Sequence, residues 1–484
     1  MSTSETALPS TARQPARRRE LVRGVSAERV ALGGFAALLI LTGTFGREFS
    51  KLAIGPSWLH PTELLLAAVT VIAVASLGVR ESFARIKATG VLIPLGVLWL
   101  FGAVATVRGL RDWGFSLVLH DIGLVEYSLI VPIVALLVGT RDNLMWLVKA
   151  LVFAGLGGLI IQAAAFWTPL QWDIGGRLVL ISVASGLYIS IYVGWVVSRR
   201  ASDQPVAWWE YALSVLGVAM VVIGVARAAW LGLLAAFVVA IVLAVPGRRM
   251  VATAALAAVL VAGALLSIPA EKVHFGHAPT TTASTGDDGA GTGEGKDSNG
   301  EPSVVGEITA SFDPSAIGGQ GVNSSWRLAY WNYLLGQSVH NPVGVGFGTP
   351  SAFTWSGVTY DRRTGDPNDP FDVTAPHNSF VNLLYRIGFL GLLALAAIIG
   401  VALWRLTRFA MRTTGENRAI AVWLVGVIGI TAAISAFSAG LEGPFIGIFF
   451  WTALGLGLIA PAVLADGGGA GAERLDGRPQ PVLE

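Results

Sequence analysis

The chain has 484 residues, of which 54% are hydrophobic and only 13% are charged, about half the charged fraction of an ordinary soluble domain. This balance predicts a polytopic membrane protein, and a formal net charge of +2 is too small to indicate nucleic-acid binding. The absence of cysteine excludes disulfides and thiol chemistry. The six histidines show no HxH or HExxH spacing, so we expect neither a metal nor another cofactor.

Residues 1–28 form a polar, basic tail that we expect in the cytoplasm, followed by an uncleaved first span. Apolar runs of roughly 17 to 25 residues, the length that a hydrocarbon core requires, then recur along the chain. They predict an all-α fold with about 12 transmembrane helices, helices 1 to 9 within 29–268 and helices 10 to 12 within 379–464. The predicted spans are 29–46, 62–79, 88–107, 121–139, 144–167, 178–197, 209–226, 228–245, 251–268, 379–404, 419–436 and 445–464.

Lysine and arginine concentrate in alternate connecting segments, which the positive-inside rule places in the cytoplasm. Both termini are then cytoplasmic, including a second tail at 465–484, and the protein is expected as a multi-pass protein of the cell (inner or plasma) membrane. The intervening segments are extracytoplasmic. The largest of them, 269–378, lies between predicted helices 9 and 10.

The segment 269–378 divides into two parts. Residues 269–322 are dominated by Gly, Thr, Ser and Asp, and we expect them to be largely disordered because they offer little to bury. Residues 323–378 regain aromatic and aliphatic side chains, so we expect an ordered part that contains short helices and one half of an active site. Ser325 is the predicted N-cap of a helix from Trp326 to Val339, which Asn341-Pro342 ends.

Three arginines on the predicted outer side are candidates for binding an anion. Arg327 lies in the first turn of the predicted loop helix, where unpaired amides and a guanidinium together suit phosphate. Arg227 stands alone between the apolar runs of helices 7 and 8, and Arg177 lies at the outer mouth of helix 6. For Arg327 the open alternative is an interfacial arginine that pairs with lipid headgroups or with a loop carboxylate. For Arg227 and Arg177 it is an arginine that reaches the outer interface without binding a substrate.

His377-Asn378 stands where the long segment re-enters the membrane. An imidazole is well suited to take a proton from a hydroxyl near neutral pH, whereas Asn378 is expected to cap the helix or to bind a sugar hydroxyl. Asp372 and Glu442 are alternative bases on the same side. Arg386, about two turns below Asn378, is expected to pair inside the bundle or to reach a polar cavity.

The order of these motifs resembles the O-antigen ligase family. The resemblance covers residues 326–393 and rests on an arginine that opens a helix, an Asn-Pro-x-Gly-x-Gly turn, and His-Asn before a span with Gly-x-x-Gly. These are Arg327, then Asn341, Pro342, Gly344 and Gly346, then His377 and Asn378, then Gly388 and Gly391. Arg227 before Ala-Ala-Trp is similar to that family's Ser-Arg-Gly turn, with Ala226 and Ala228 in place of its Ser and Gly.

The resemblance implies a glycosyltransferase that moves a saccharide from a polyprenyl diphosphate carrier to an acceptor hydroxyl on a glycan, lipid or protein. Transfer would occur on the extracytoplasmic side, with inversion and without a required metal or nucleotide. Arg227 and Arg327 would then hold the diphosphate, and His377 would activate the acceptor hydroxyl.

Two other functions remain as alternatives. A polysaccharide polymerase of the same family would join lipid-linked repeat units, and the sequence does not separate it from a ligase. A transporter or flippase of lipid-linked glycans would belong to another class. Such carriers usually show repeated halves and charged or broken helices at mid-membrane, whereas this sequence shows no internal repeat and its polar residues lie toward the outer face, which favours an enzyme.

Overall fold

A computed structural model describes most of the apolar part of the chain. The described residues are 26–46, 49, 60–167, 173–174, 177–178, 183–223, 227–249, 253, 320–355, 358–360 and 376–476. The basic tail before Ser26, the predicted span 251–268 apart from Thr253, the segment before Gln320, and Asp372 lie outside the described residues.

The described part is helical except for two antiparallel hairpins of two strands each. In the first half the helices are α1 Ala27–Phe45, α2 Pro61–Leu77, α3 Val79–Ala88, α4 Leu92–Asp112, α5 Phe115–Glu126, α6 Ile130–Leu137, α7 Arg141–Trp167, α8 Val183–Ala201, α9 Trp208–Ile223 and α10 Arg227–Leu243. The strands β1 Asp173–Ile174 and β2 Arg177–Leu178 lie between α7 and α8. The second half contains α11 Gln320–His340, β3 Phe353–Trp355, β4 Val358–Tyr360, α12 Ser379–Arg412, α13 Gly415–Ser435 and α14 Pro444–Asp476.

Seven helical stretches of the described chain are long and apolar enough to cross a membrane, and an eighth results if α2 and α3, bent by 105°, count as one span. The stretches Trp208–Val221 and Ala228–Leu243, in α9 and α10, are apolar but shorter. The helical, multi-span architecture therefore agrees with the sequence. The number of twelve spans stays a prediction.

The second half of the chain supplies the centre of the bundle. Helix α13 packs against α8, α10, α12 and α14. Its Trp423 is fully buried and donates its indole N–H to the Ile191 carbonyl at 3.0 Å. Small residues permit close helix contacts elsewhere, as at Gly43 of α1, where a Cβ would lie 2.4 Å from the Cβ of Ala154.

Arginines assigned to the cytoplasm gather at one end of the bundle, where they bind carbonyls at or near helix ends. Such contacts satisfy carbonyls that lack intrahelical partners and place positive charge at the negative end of the helix dipole. They are Arg85 to Leu136 at 3.0 Å, Arg405 to Thr89 at 2.6 Å and Arg418 to Leu243 at 2.6 Å. Arg405 also binds the Leu458 carbonyl, inside α14, at 3.0 Å.

The structure corrects the predicted start of the loop helix. Helix α11 already includes Gln320 and ends at His340, so Ser325 lies inside the helix and is not its N-cap. No proline interrupts residues 320–325, and the helix continues through them. Arg327 is consequently not in the first turn, so the unpaired amides of a helix N-terminus do not lie beside it. The predicted end of the helix before Asn341-Pro342 is confirmed.

Two further boundaries differ from the sequence-based expectation. Helix α8 begins at Val183 rather than near residue 178, and Arg177 instead pairs with Ile174 in the hairpin before it. Helix α12 extends to Arg412 but is interrupted at Gly388, whose φ of 79° and ψ of −176° are not helical. Only glycine adopts such a conformation readily, and the break divides α12 into a short outer part and a long inner part.

Candidate functional site

The outer part of α12 begins at a well-formed cap. The side chain of Asn378 accepts hydrogen bonds from the backbone amides of Phe380 and Val381, each at 3.1 Å. Of the two roles expected for Asn378, the structure therefore uses its oxygen for the helix cap. The preceding residue, His377, has a φ of 50°, in the left-handed region that side chains rarely adopt. This conformation turns the chain sharply before the helix starts.

His377 and Arg327 come together although 50 positions separate them in the chain. The His377 side chain is open to solvent on one side, yet its pKa is lowered to about 4. Burial by the surrounding protein is the larger cause, and the positive charge of Arg327 is the second. At neutral pH the imidazole is therefore uncharged and has a lone pair free to accept a proton.

Helix α11 is fixed against the segment that carries His377. The indole N–H of Trp331 donates to the Pro376 carbonyl at 2.5 Å. One turn earlier, the guanidinium of Arg327 donates to the Phe437 carbonyl at 3.4 Å. Phe437 belongs to the α13–α14 loop, residues 436–443, and its ring also lies 6.2 Å from that of Trp331. The arginine is thus held between α11 and this loop.

The same loop brings a carboxylate to the start of α12. Glu442 accepts a hydrogen bond from the Ser379 hydroxyl at 2.5 Å and from the Asn382 amide at 3.0 Å. Ser379 in turn accepts from the Leu441 amide at 3.0 Å. Burial raises the pKa of the Glu442 carboxyl. Its hydrogen bonds from Ser379 and Asn382 and one backbone hydrogen bond oppose this rise, and the negative charge of Asp121 is the last contribution in favour of it.

Backbone geometry also brings the start of α10 to this end of the bundle. Helices α10 and α13 run antiparallel, since Arg418 near the start of α13 reaches Leu243 at the end of α10. Farther along, a Cβ at Gly232 would lie 3.1 Å from the Ile434 side chain. Continuing this register carries Arg227, the first residue of α10, to the level where α13 ends. The side chains of Arg227 and Arg177 are outside the description.

Arg386 lies deeper than the other candidates. Its guanidinium pairs with Asp121 of α5, with Nε 3.1 Å from Oδ2, and both side chains are about 3% exposed. Of the alternatives that the sequence left open, the structure shows pairing inside the bundle. Sequence reasoning missed Asp121, Ser379 and Asn382. The signal for Asp121 was available, because it is the first residue of the predicted span 121–139, which contains only one other charged residue, Glu126.

The aromatic residues of α11 pack onto the outer hairpin. Trp326, Tyr330 and Tyr333 surround Phe353 of β3 at centroid distances of 6.5, 5.2 and 5.6 Å. They form the core of this outer region, which fixes the face of α11 that carries Arg327. In the described part of the chain, no three His, Cys, Asp or Glu side chains assemble as metal ligands.

These features define a class: a membrane protein of many helices in which an arginine and a histidine lie together at one end of the described bundle, opposite the arginines that the sequence assigns to the cytoplasm. Residues 212–396 match the family model described as O-Antigen ligase. The resemblance to the O-antigen ligase family is therefore confirmed, and the chain carries this family's domain over a stretch that includes Arg227, Arg327 and His377. None of the curated proteins compared with the chain matches it. The family match indicates a membrane glycosyltransferase-like function in polysaccharide biosynthesis.

Proposed function

We propose that the protein transfers a saccharide from a polyprenyl diphosphate carrier to an acceptor hydroxyl at the extracytoplasmic face, with inversion and without a metal. The observation that carries this proposal is the contact of α11 with the residue before His377, from the Trp331 indole to the Pro376 carbonyl at 2.5 Å, which brings Arg327, one turn away on α11, close enough to act on the His377 imidazole. The family match over the same residues supports it.

Arg327 serves the leaving group in this proposal. As the bond between the anomeric carbon and the diphosphate oxygen breaks, negative charge grows on that oxygen, and a guanidinium held in place stabilises it. Its contact with the Phe437 carbonyl at 3.4 Å connects the arginine to the α13–α14 loop. Arg227, at the same level of the bundle by the register of α10, is the second proposed diphosphate ligand.

His377 serves the acceptor. Its neutral ring takes the proton of the acceptor hydroxyl as the new bond to the anomeric carbon forms on the face opposite the diphosphate, and polyprenyl diphosphate departs. A bound diphosphate compensates the charge of Arg327, one of the two causes that lower the pKa of His377. Donor binding therefore makes the imidazole a stronger base than it is in the empty site.

Glu442 is the alternative base. Its carboxylate lies beside Ser379, two residues after His377, and burial raises its pKa. Both of its carboxylate oxygens already accept hydrogen bonds from α12. We therefore propose that Glu442 mainly holds the α13–α14 loop and that His377 is the base.

The test is a transfer assay with purified protein, a polyprenyl diphosphate-linked saccharide, and either a terminal acceptor or a second lipid-linked unit. We expect transfer in the presence of EDTA, and strict dependence on an added divalent metal would refute the mechanism. The preferred acceptor separates a ligase from a polymerase, which share the donor chemistry. Flipping of the donor without any transfer would instead identify a carrier.

Donor affinity provides the second arm of the test. We expect Arg227→Ala and Arg327→Ala each to weaken binding of the lipid-linked donor and to slow transfer by on the order of 10². Arg111→Ala is the matched control, because Arg111 is at the same end of the bundle, largely exposed, and paired with Asp112 at 2.6 Å. Unchanged donor affinity in both site variants would show that Arg227 and Arg327 do not bind the diphosphate.

A further inference from the structure

A second polar assembly lies below the proposed site, at the break in α12. The Asn341-Pro342 turn and the residues after it, 341–349, fold into this break, and we call this segment the docked loop. The amides of Val345 and Gly346 donate to the carbonyls of Tyr385 and Arg386 at 2.9 and 3.0 Å. In return, the amide of Phe389 donates to the Pro342 carbonyl at 2.9 Å.

These bonds satisfy backbone groups that the break removes from the helix. An interrupted helix in an apolar bundle is stable only when other protein groups satisfy its exposed amides and carbonyls. The approach is so close that glycine is required on both sides. A Cβ at Gly388 would lie 2.3 Å from the Pro342 oxygen, and one at Gly344 would lie 2.4 Å from the Arg386 oxygen.

Two charged side chains hold the far end of the docked loop. Asp121 accepts the Gly348 amide at 2.7 Å, and Arg386 donates to the Thr349 carbonyl. The two side chains also pair with each other, so α5, the docked loop and the outer part of α12 are joined at one buried point. Arg108 of α4 binds the near end, donating to the Gly344 carbonyl at 2.8 Å.

We propose that the Asp121–Arg386 pair is a positioning device: it keeps the docked loop in the break of α12 and thereby sets where the outer part of α12 holds His377 relative to Arg327. The assignment of roles to His377 and Arg327 rests on the proposed function. The geometric part of the inference does not depend on that function.

The outer part of α12 is short, and the residues at its start are those that form the proposed site or contact it. Asn378 caps it, His377 precedes it, and Ser379 and Asn382 bind Glu442. Arg327, in contrast, is on α11 and meets the start of α12 only through other groups: the Trp331 indole on the Pro376 carbonyl, and the α13–α14 loop, which contacts both Arg327 and α12. A change in the break therefore acts directly on the base and only indirectly on the diphosphate ligand. Displacement by about 1 Å is enough to slow an oriented reaction by on the order of 10².

The test uses Asp121→Asn, which removes the charge and keeps the shape. Because the chain has no cysteine, spin labels at Phe380→Cys and Met411→Cys report the distance across the break without background. We expect Asp121→Asn to shift or broaden this distance, and to lower kcat at least tenfold with donor affinity within about twofold of the wild type. Asp142→Asn, in the first turn of α7 at the opposite end, is the control and should change none of these values.

The double variant Asp121→Asn/Arg386→Gln covers the case in which the single variant does not fold, since it leaves no unpaired buried charge. Its two amides retain donors and acceptors for Gly348 and Thr349, so we expect it to recover most of the wild-type distance and turnover. An unchanged distance in the folded single variant would overturn the proposal. A loss of kcat that is explained by lower thermal stability alone would also overturn it. The same holds if the double variant recovers neither the distance nor the turnover relative to the single variant. If the wild type transfers no saccharide, the proposed function fails, whereas the label distances still decide the positioning role.

Discussion

At the scale of single residues, the chain provides its own control for the base. It contains two His-Asn pairs, His377-Asn378 before α12 and His340-Asn341 at the end of α11. In the second pair, His340 contacts the Gly336 carbonyl at 2.9 Å and Asn341 donates to the Gln337 carbonyl at 3.0 Å, so both serve the helix end. The dipeptide alone therefore carries no function.

We expect His377→Ala to lower transfer by on the order of 10² to 10⁴, the usual contribution of a general base, while donor binding is retained. His340→Ala should leave transfer close to the wild-type rate. Both variants are measured with the same lipid-linked donor, by turnover and by binding. Retained turnover in His377→Ala would move the proton-accepting role to Glu442.

The electrostatic effect of Arg327 on His377 predicts the pH dependence. A protonated His377 is not a base, so kcat/KM should fall as the pH drops through its pKa of about 4. Removing a positive charge favours protonation, so Arg327→Gln should move this acidic limb to higher pH. The limb should stay below the ordinary histidine value of about 6.5, because burial is the larger cause of the shift.

The measurement is a pH profile of kcat/KM for the wild type, Arg327→Gln and the control Arg111→Gln. An acidic limb at the same pH in all three would show that His377 is not the titrating group or that Arg327 does not act on it. For the wild type, the limb of kcat should lie at higher pH than that of kcat/KM, since the bound diphosphate compensates the arginine.

At the scale of elements, α12 contains two glycines whose replacement by alanine should have opposite effects on stability. Gly388 has a positive φ and backbone atoms against it, whereas Gly400 is helical and a Cβ there would meet nothing within 4 Å. We expect Gly388→Ala to destabilise the protein severely, because the helix must close or the docked loop must leave. Gly400→Ala should be neutral or stabilise by up to about 1 kcal/mol. Thermal unfolding of the two purified variants in detergent compares them, and similar melting temperatures would contradict the geometry of the break.

The elements also show what a sequence can and cannot predict. Eleven of the predicted spans overlap described helices, and seven described stretches are long and apolar enough to cross a membrane, because bilayer thickness sets the length of an apolar run. The predicted N-cap at Ser325 was wrong. A serine is tolerated inside a helix when the residues before it do not end the helix. The break at Gly388 was not predicted. Glycine is common in the apolar runs of membrane helices, so Gly388 alone does not predict a break. The break depends on residues 341–349, which pack against Gly388 and bind the freed backbone groups.

At the scale of the whole molecule, orientation is still a prediction, and the absence of cysteine makes it testable. Val339 is 78% exposed on α11, and Met411 is 62% exposed at the other end of α12. With a membrane-impermeant maleimide on intact cells, we expect labelling of Val339→Cys and labelling of Met411→Cys only after lysis. The reverse pattern would place the proposed site in the cytoplasm, where the positive-inside rule does not put it.

The candidate site could be predicted only in part at this scale. His377 and Arg327 were found from residue type and motif order, and the structure brings them together. The Asp121 that pairs with Arg386, and the Ser379–Glu442 contact, connect helices far apart in the chain, and such pairings leave no periodic signal in one sequence. Sequence reasoning therefore named the residues proposed for the chemistry, which stay a prediction, and missed the residues that contact them from distant helices.

The Asp121–Arg386 pair also has a consequence for how the protein is made. A lone aspartate in a membrane helix opposes insertion by about 3 kcal/mol, and a lone arginine by a similar amount. During synthesis α5 is made long before α12. Asp121 therefore lacks its partner Arg386 until nearly four fifths of the chain has been translated. A chain that stops before α12 therefore leaves the Asp121 charge without Arg386, so we expect it to be integrated less stably than the full chain. The ion pair proposed to position the site would then also favour completion of the bundle.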